Sequence, residues 1–220
     1  LVGRRYPNLD VAVSVGEVRR AREAGRAALL LFSQGGDFIA GRLHRIEVMH
    51  RLGLRVMIPA YNRTNEICDG LLDTTSGGVT RFGRLVVEEC NRLGIVLDCT
   101  HVGTRSAREI IDSSRDPVIF SHSNPSRLAP NPRNIDDGLS EACAARGGLI
   151  GLVAWGPLVM RPGSTHWPTL DEYIDMIAYA ANLLGGHATL VWYVPAVSDS
   201  DLTDGMSLGE GAGAVLLTRD

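Results

Sequence analysis

Residues 82–101 read FGRLVVEECNRLGIVLDCTH, and this stretch contains the unit from which the fold is predicted. Apolar residues at helical spacing from Phe82 to Leu93 predict an amphipathic helix that stops at Gly94. Ile95–Thr100 is a short, β-rich apolar run that leads directly into His101. A helix that ends at glycine and is followed by a buried strand is typical of a parallel sheet covered by helices.

The same unit recurs along the chain about six times, which favours an α/β fold. Two architectures fit, an open doubly wound sheet or a (β/α)8 TIM barrel. No G-x-G-x-x-G follows the first strand, which weakens the nucleotide-binding version of the open sheet. A complete barrel needs about 250 residues, so we expect residues 1–220 to form one incomplete barrel domain. The predicted strands are Ala27–Phe32, Leu54–Ile58, Ile95–Thr100, Val118–Phe120, Leu149–Ala154 and Ala188–Val194.

Composition excludes several classes of protein. The chain is 45% hydrophobic and 21% charged, with a formal net charge of −3, so it offers no electrostatic footprint for nucleic acid or an anionic membrane. No stretch approaches the roughly 18 apolar residues of a membrane span. The scattered cysteines Cys68, Cys90, Cys99 and Cys143 predict buried thiols in a reducing, cytoplasmic compartment. The chain starts at Leu1 without methionine, so we expect an upstream piece to be missing.

Histidines follow two of the predicted strands. His101 comes after Ile95–Thr100, and His122 comes two residues after Val118–Phe120. Active sites of barrel folds lie at the carboxyl ends of the strands. Neighbouring strands lie about 4.8 Å apart, which allows two imidazoles to converge on one zinc ion. Spacing alone leaves open whether these histidines bind a metal or are hydrogen-bonded loop residues.

Two segments resemble those that carry metal-binding histidines in the renal (membrane) dipeptidase family. Residues 120–124 (FSHSN), followed by 131–137 (NPRNIDD) and 145–151 (ARGGLIG), resemble its second-histidine segment. Residues 81–84 (RFGR), 91–94 (NRLG) and 97–103 (LDCTHVG) resemble its first. The order and the spacing match, and the similarity runs from about residue 10 to about residue 186.

The resemblance implies a (β/α)8 barrel of the amidohydrolase type, with a zinc centre of one or two ions that hydrolyses dipeptides. In that family an H-x-D pair and two later histidines hold the metals, and a glutamate bridges them. His101 and His122 fall on the later histidines. Arg133 falls on the arginine that binds the carboxylate of the substrate, a task that suits the two-pronged guanidinium group. Without the resemblance, a surface salt bridge is the favoured interpretation of Arg133.

Three positions depart from the family pattern. Asn8-Leu9-Asp10 lacks the first residue of an H-x-D pair, and no strand is predicted before it. Gln34 occupies the position of the bridging glutamate. Its amide oxygen can ligate a metal but cannot neutralise two dications, which favours a single ion. Tyr61 stands where some members have a histidine that polarises the scissile carbonyl, and its hydroxyl could donate a hydrogen bond there. The alternative is a tyrosine that packs at a strand end.

Residues 203–209 (TDGMSLG) resemble a family segment, G-T-D-M-S-L-G, with one glycine inserted. The resemblance makes Asp204 the candidate general base, with a solvated loop aspartate as the alternative. The leading hypothesis is therefore a zinc-dependent dipeptidase acting on small dipeptides. A non-catalytic homologue that binds small peptides, and an enzyme for another small amide or a lactone, remain alternatives.

An incomplete barrel leaves edge strands unpaired, and such edges pair readily with other chains. We therefore expect poor solubility or a homodimer. Light scattering tests this expectation, and a monodisperse monomer would contradict it.

Overall fold

Parallel strands that follow one another in chain order form the centre of the molecule. The structure is a computed structural model that describes residues 6–74, 76–194 and 213–216. The strands are β1 (Leu9–Val11), β2 (Ala27–Leu29), β3 (Leu31–Gln34), β4 (Leu54–Ile58), β5 (Val96–Leu97), β6 (Ile119–Phe120), β7 (Leu149–Val153), β8 (Ala188–Val194) and β9 (Gly213–Leu216). The α-helices are α1 (Val15–Glu23), α2 (His44–Arg51), α3 (Arg81–Leu93), α4 (Thr104–Ser113), α5 (Asp137–Ala145), α6 (Gly156–Val159) and α7 (Leu170–Leu184).

The strand pairing brings the carboxyl ends of neighbouring strands to one edge. Strands β3, β4 and β5 pair in parallel, and so do β6, β7 and β8. A parallel bridge between Asp98 and Ile119 joins the two groups, with Cys99 N donating to Ile119 O at 2.8 Å. The segments that follow β5 and β6 therefore lie side by side.

Local sequence signals explain where several helices begin and end. Thr80 caps α3 by accepting a hydrogen bond from Gly83 N, and Gly94 ends this helix at a φ of 72°. Thr169 and Glu172 form a reciprocal capping box at the start of α7. No helix within residues 6–74 and 76–194 is long and apolar enough to cross a membrane.

The core lies between the sheet and its covering helices. Its fully buried side chains include Ile58, Leu97, Phe120 and Ile150, one from each of four successive strands. Each such side chain contributes about 1.5–3 kcal/mol when it leaves water. Their burial stabilises the strands from which the site residues project.

All four cysteines are buried and free, as the sequence predicted. Burial raises the pKa of the thiols of Cys68, Cys90 and Cys143 to about 12. A thiol with so high a pKa is protonated at neutral pH and is a poor nucleophile or metal ligand. The cysteines therefore belong to the packing of the core.

The predicted alternation of helices and strands is confirmed, with differences at the boundaries. The predicted strand Ala27–Phe32 is divided into β2 and β3, and the register shifts between Leu31 and Phe32. The strand predicted over Ile95–Thr100 is reduced to Val96–Leu97, and Asp98 after it forms an isolated parallel bridge with Ile119.

The structure also contains two strands that the sequence did not predict, β1 and β9. Strand β1 contains Asp10, which pairs with Arg26 at 2.8 Å. Asp10 is thus part of a surface ion pair within a strand. Strand β9 pairs with β8 in antiparallel fashion, in contrast to the parallel strands before it.

Candidate metal centre

The two candidate histidines meet where β5 and β6 end. His101 Nε2 lies 3.0 Å from His122 Nε2, and the two rings are oriented edge to face with centroids 5.1 Å apart. His101 is almost fully buried and His122 is half-buried. Two nitrogens that bind one zinc at about 2.1 Å lie about 3.4 Å apart at the tetrahedral angle. The observed spacing is shorter than this and is that of a hydrogen bond between the two rings, and a small separation of the rings would let both nitrogens bind one metal ion.

The other ring nitrogen of each histidine has a polar partner. His101 Nδ1 lies 2.7 Å from Asn62 Oδ1, and His122 Nδ1 lies 2.7 Å from Ser121 Oγ. An amide oxygen only accepts, so it places a proton on His101 Nδ1 and leaves the lone pair on Nε2. Histidines that bind metals are held in this way by a partner behind the ring. This arrangement also fits a metal site.

Burial keeps both imidazoles neutral. It is the largest cause that lowers the pKa of His101 well below its ordinary value, and the charge of Arg133 adds to the effect. For His122, burial lowers the pKa to about 4, although Asp98 opposes the shift. Neutral imidazole is the form that binds a metal, and at neutral pH no proton has to leave first.

The Asp98 side chain links the ends of β5 and β6 through hydrogen bonds to both backbones. Its Oδ1 accepts hydrogen bonds from Thr100 N at 2.9 Å and from Ser121 N at 3.1 Å. Asp98 is fully buried, and its Oδ2 has no hydrogen-bond partner in the described part of the chain. One carboxylate thus fixes the backbone immediately before His101 and before His122.

A loop from residue 61 to residue 72 holds the backbone of His101. The carbonyl oxygen of His101 accepts from Asn62 N at 3.2 Å and from Leu71 N at 3.0 Å. His101 and Asn62 both adopt positive φ, at 68° and 62°. Gly70 allows this close approach, since an added Cβ would lie 2.3 Å from Asn62 C and Arg63 N.

We predict that Gly70→Ala destabilises the fold by about 1–3 kcal/mol, because the Cβ meets backbone that has little freedom to move. The same change should weaken metal binding, since the loop is pushed away from His101. Urea unfolding and zinc titration measure the two effects. Gly77→Ala, a few residues after this loop, is the matched control, because its Cβ would make only ordinary contacts of 3.4 Å or more. Equal behaviour of the two variants would contradict the prediction.

Arg133 lies beside the histidine pair with part of its guanidinium unpaired. Its Nη2 lies 3.5 Å from the carbonyl oxygen of His122, whereas Nη1 is buried and has no hydrogen-bond partner among residues 6–74 and 76–194. Burial lowers the pKa of Arg133 to about 10, so it remains charged at neutral pH. A buried cation with a free donor is suited to binding an anionic group.

Three asparagines hold the loop that carries Arg133. Asn131 Oδ1 accepts from Arg133 N at 2.9 Å. Asn134 Oδ1 accepts from Asn124 N, and the Asn124 side chain bonds to the backbone of Val153 at the end of β7. The position of Arg133 is therefore tied to two strand ends.

The remaining predicted site residues differ in how the structure places them. The ring of Tyr61 stacks on that of His101, with centroids 4.0 Å apart and an angle of 26° between the planes. Gln34 ends β3 and pairs with Ile58 of β4, so it lies at the same sheet edge. Asp204 lies outside the described residues. Among the residues that are described, no three His, Cys, Asp or Glu side chains form a group that could hold a metal.

Sequence reasoning did not identify Asn62, Ser121 and Asp98 as residues of the site. Ser121 and Asp98 adjoin the candidate histidines or their strands, so proximity in sequence was a usable signal. Asn62 is 39 positions from His101. The pairing of β4 with β5 and the loop that follows β4 bring these two residues together.

The sequence matches the family model of membrane dipeptidase (Peptidase family M19) over residues 1–190. The dipeptidase verJ of Clonostachys rogersoniana is 27% identical over 187 residues, covering 84% of this chain and 47% of that protein. The dipeptidase aclJ of Aspergillus oryzae is 28% identical over 185 residues, covering 82% and 44%. The chain therefore spans less than half the length of these relatives.

Solved structures share the fold of this chain. The crystal structure of an amidohydrolase from Pseudomonas aeruginosa has a TM-score of 0.80 and 30% identity, covering 86% of this chain and 58% of that one. A metallo peptidase from Rhodobacter sphaeroides, solved with a phosphinate mimic of the dipeptide L-Ala-D-Ala, has a TM-score of 0.80 and 24% identity, covering 86% and 56%. With the family match over most of its residues, the chain belongs to the membrane dipeptidase family.

Proposed function

We propose that this chain carries a large part of a zinc-dependent dipeptidase built on an incomplete (β/α)8 barrel. The main support for the proposal is that the Nε2 atoms of His101 and His122 lie 3.0 Å apart. Parallel strands in chain order and the family membership support the barrel. His101 and His122 would hold the metal, and Gln34 could add an amide oxygen. A single ion is favoured, because Gln34 lacks the charge of a bridging carboxylate.

The chemistry follows from the site. When bound, zinc supplies the Lewis acidity that polarises the scissile carbonyl and makes water nucleophilic near neutral pH. Tyr61 would donate a hydrogen bond to the oxyanion that develops as the water oxygen bonds to the carbonyl carbon. Asp204 would take the proton from the water and deliver it to the amine as the C–N bond breaks.

Arg133 would set the length of the substrate. Its guanidinium lies next to His122, so a carboxylate bound there is close to the histidine pair. A dipeptide has only one residue between its scissile carbonyl and its free carboxylate, and a longer peptide would place its carboxylate farther away. Arg133 therefore favours dipeptides over longer chains.

Substitution of Arg133 tests this assignment. We expect Arg133→Met to lower kcat/KM for a dipeptide by about 100-fold, mostly through KM, because a charged hydrogen-bonding group contributes about 1.5–3 kcal/mol. The control substrate is the same dipeptide with a C-terminal carboxamide. Arg133→Met should cause little further loss on the carboxamide, and an equal loss on both substrates would contradict the assignment.

A second candidate function is a non-catalytic homologue that binds small peptides. The presence of Gln34 where the family has a glutamate favours it. A hydrolysis screen after zinc loading separates the candidates, using dipeptides, N-acyl amino acids and lactones. Release of amino acids from dipeptides supports the leading proposal. Zinc binding with no hydrolysis in the screen favours the non-catalytic homologue, and preferred hydrolysis of another class points to a related amidohydrolase.

A further inference from the structure

The Asn62 side chain contacts the edge of the His101 ring that carries Nδ1, the nitrogen that does not face His122. Asn62 Oδ1 lies 2.7 Å from His101 Nδ1, while His101 Nε2 lies 3.0 Å from the other histidine. An acceptor at Nδ1 fixes the proton on that nitrogen and fixes the rotation of the ring. The lone pair of Nε2 then points to the place where a metal would be shared.

The backbone holds Asn62 in position for this contact. Asn62 N donates to the carbonyl oxygen of His101 at 3.2 Å, and Asn62 O accepts from Leu72 N at 2.9 Å. Asn62 adopts a φ of 62°, which asparagine, aspartate and glycine tolerate better than other residues. The residue type at this position therefore has to satisfy both the left-handed backbone and the imidazole.

We propose that Asn62 is a positioning residue that sets the tautomer and the orientation of His101 for metal binding. This inference rests on the proposed function in its assignment of His101 as a ligand. It predicts that the acceptor oxygen, and not the bulk of the side chain, is the important feature of Asn62. Two substitutions that both tolerate the positive φ, glycine and aspartate, therefore separate these features.

The test compares Asn62→Gly with Asn62→Asp, and uses Co²⁺ as the probe ion. Glycine accepts the positive φ but removes the acceptor, so we expect Co²⁺ affinity to fall about 10- to 100-fold. Aspartate keeps an acceptor and adds a negative charge, so affinity should equal or exceed that of the wild type. Chelator competition gives the dissociation constants, and the visible Co²⁺ spectrum reports the ligand geometry.

Asn91→Ala is the control for a general loss of stability. Asn91 is a buried asparagine whose side chain bonds to the Ser114 side chain and to the Arg115 backbone, and it lies on α3 away from the histidine pair. This variant should unfold more easily than the wild type, yet its Co²⁺ affinity should be unchanged. A fall equal to that of Asn62→Gly would show that stability alone controls affinity, and would overturn the inference.

A second readout needs no metal. Long-range ¹H–¹⁵N NMR of the metal-free chain should show His101 protonated at Nδ1 in the wild type and in Asn62→Asp, and a changed tautomer ratio in Asn62→Gly. An unchanged ratio together with unchanged Co²⁺ affinity overturns the positioning role and leaves the proposed function standing. Failure of the wild type to bind Co²⁺ overturns the proposed function and the metal part of the inference.

Discussion

Replacing His101 or His122 with alanine is expected to abolish zinc binding and to lower kcat/KM for dipeptides by about 1,000-fold or more. Each variant removes one of the two imidazole nitrogens that face each other across 3.0 Å. Among the described residues, no three His, Cys, Asp or Glu side chains form another group that could hold the zinc instead. The remaining imidazole would bind zinc only weakly.

His44→Ala is the matched control, because His44 is exposed on α2. It should retain both zinc and activity. The double variant His101→Ala/His122→Ala should be no worse than either single variant, since residues that act as a unit show non-additive effects. Retention of zinc in either single variant would contradict the assignment of these ligands.

Removal of Asp98 is expected to have the largest effect on stability. Asp98→Ala leaves the buried Thr100 N and the nearby Ser121 N without their shared acceptor. Each buried donor left without a partner costs about 1–3 kcal/mol, so we expect a loss of about 2–5 kcal/mol in the free energy of unfolding. Zinc affinity should also fall, because the ends of β5 and β6 are no longer fixed to each other.

Asp98→Asn separates the hydrogen bonds from the charge. The amide keeps one acceptor oxygen, so this variant should lose less than half as much stability as Asp98→Ala. Urea denaturation of both variants gives the comparison through the midpoint and the slope. A loss in Asp98→Asn as large as that in Asp98→Ala would show that the charge matters and the two hydrogen bonds do not.

Much of the framework could be predicted because it depends on local patterns. Helix α3 with its stop at Gly94 follows from residue spacing and backbone freedom alone. The convergence of His101 and His122 follows from parallel strands, whose carboxyl ends share one edge. These predictions needed only the order of the elements.

The rest depends on contacts between distant residues, for which the sequence has no local signal. Asn62 reaches His101 through a loop whose shape depends on Gly70. The break between β2 and β3 lies within one continuous apolar run, so periodicity predicted a single strand. The antiparallel β9 follows a stretch that lies outside the described residues, and no alternation of apolar and polar residues marked it.

The most direct test of the account is the zinc content of the purified chain, measured by elemental analysis after dialysis against zinc and then against buffer. We expect about one zinc per chain, held by the two imidazoles. Circular dichroism of the same sample establishes that the chain is folded. A folded chain that contains no zinc would contradict the central claim that His101 and His122 form a metal site.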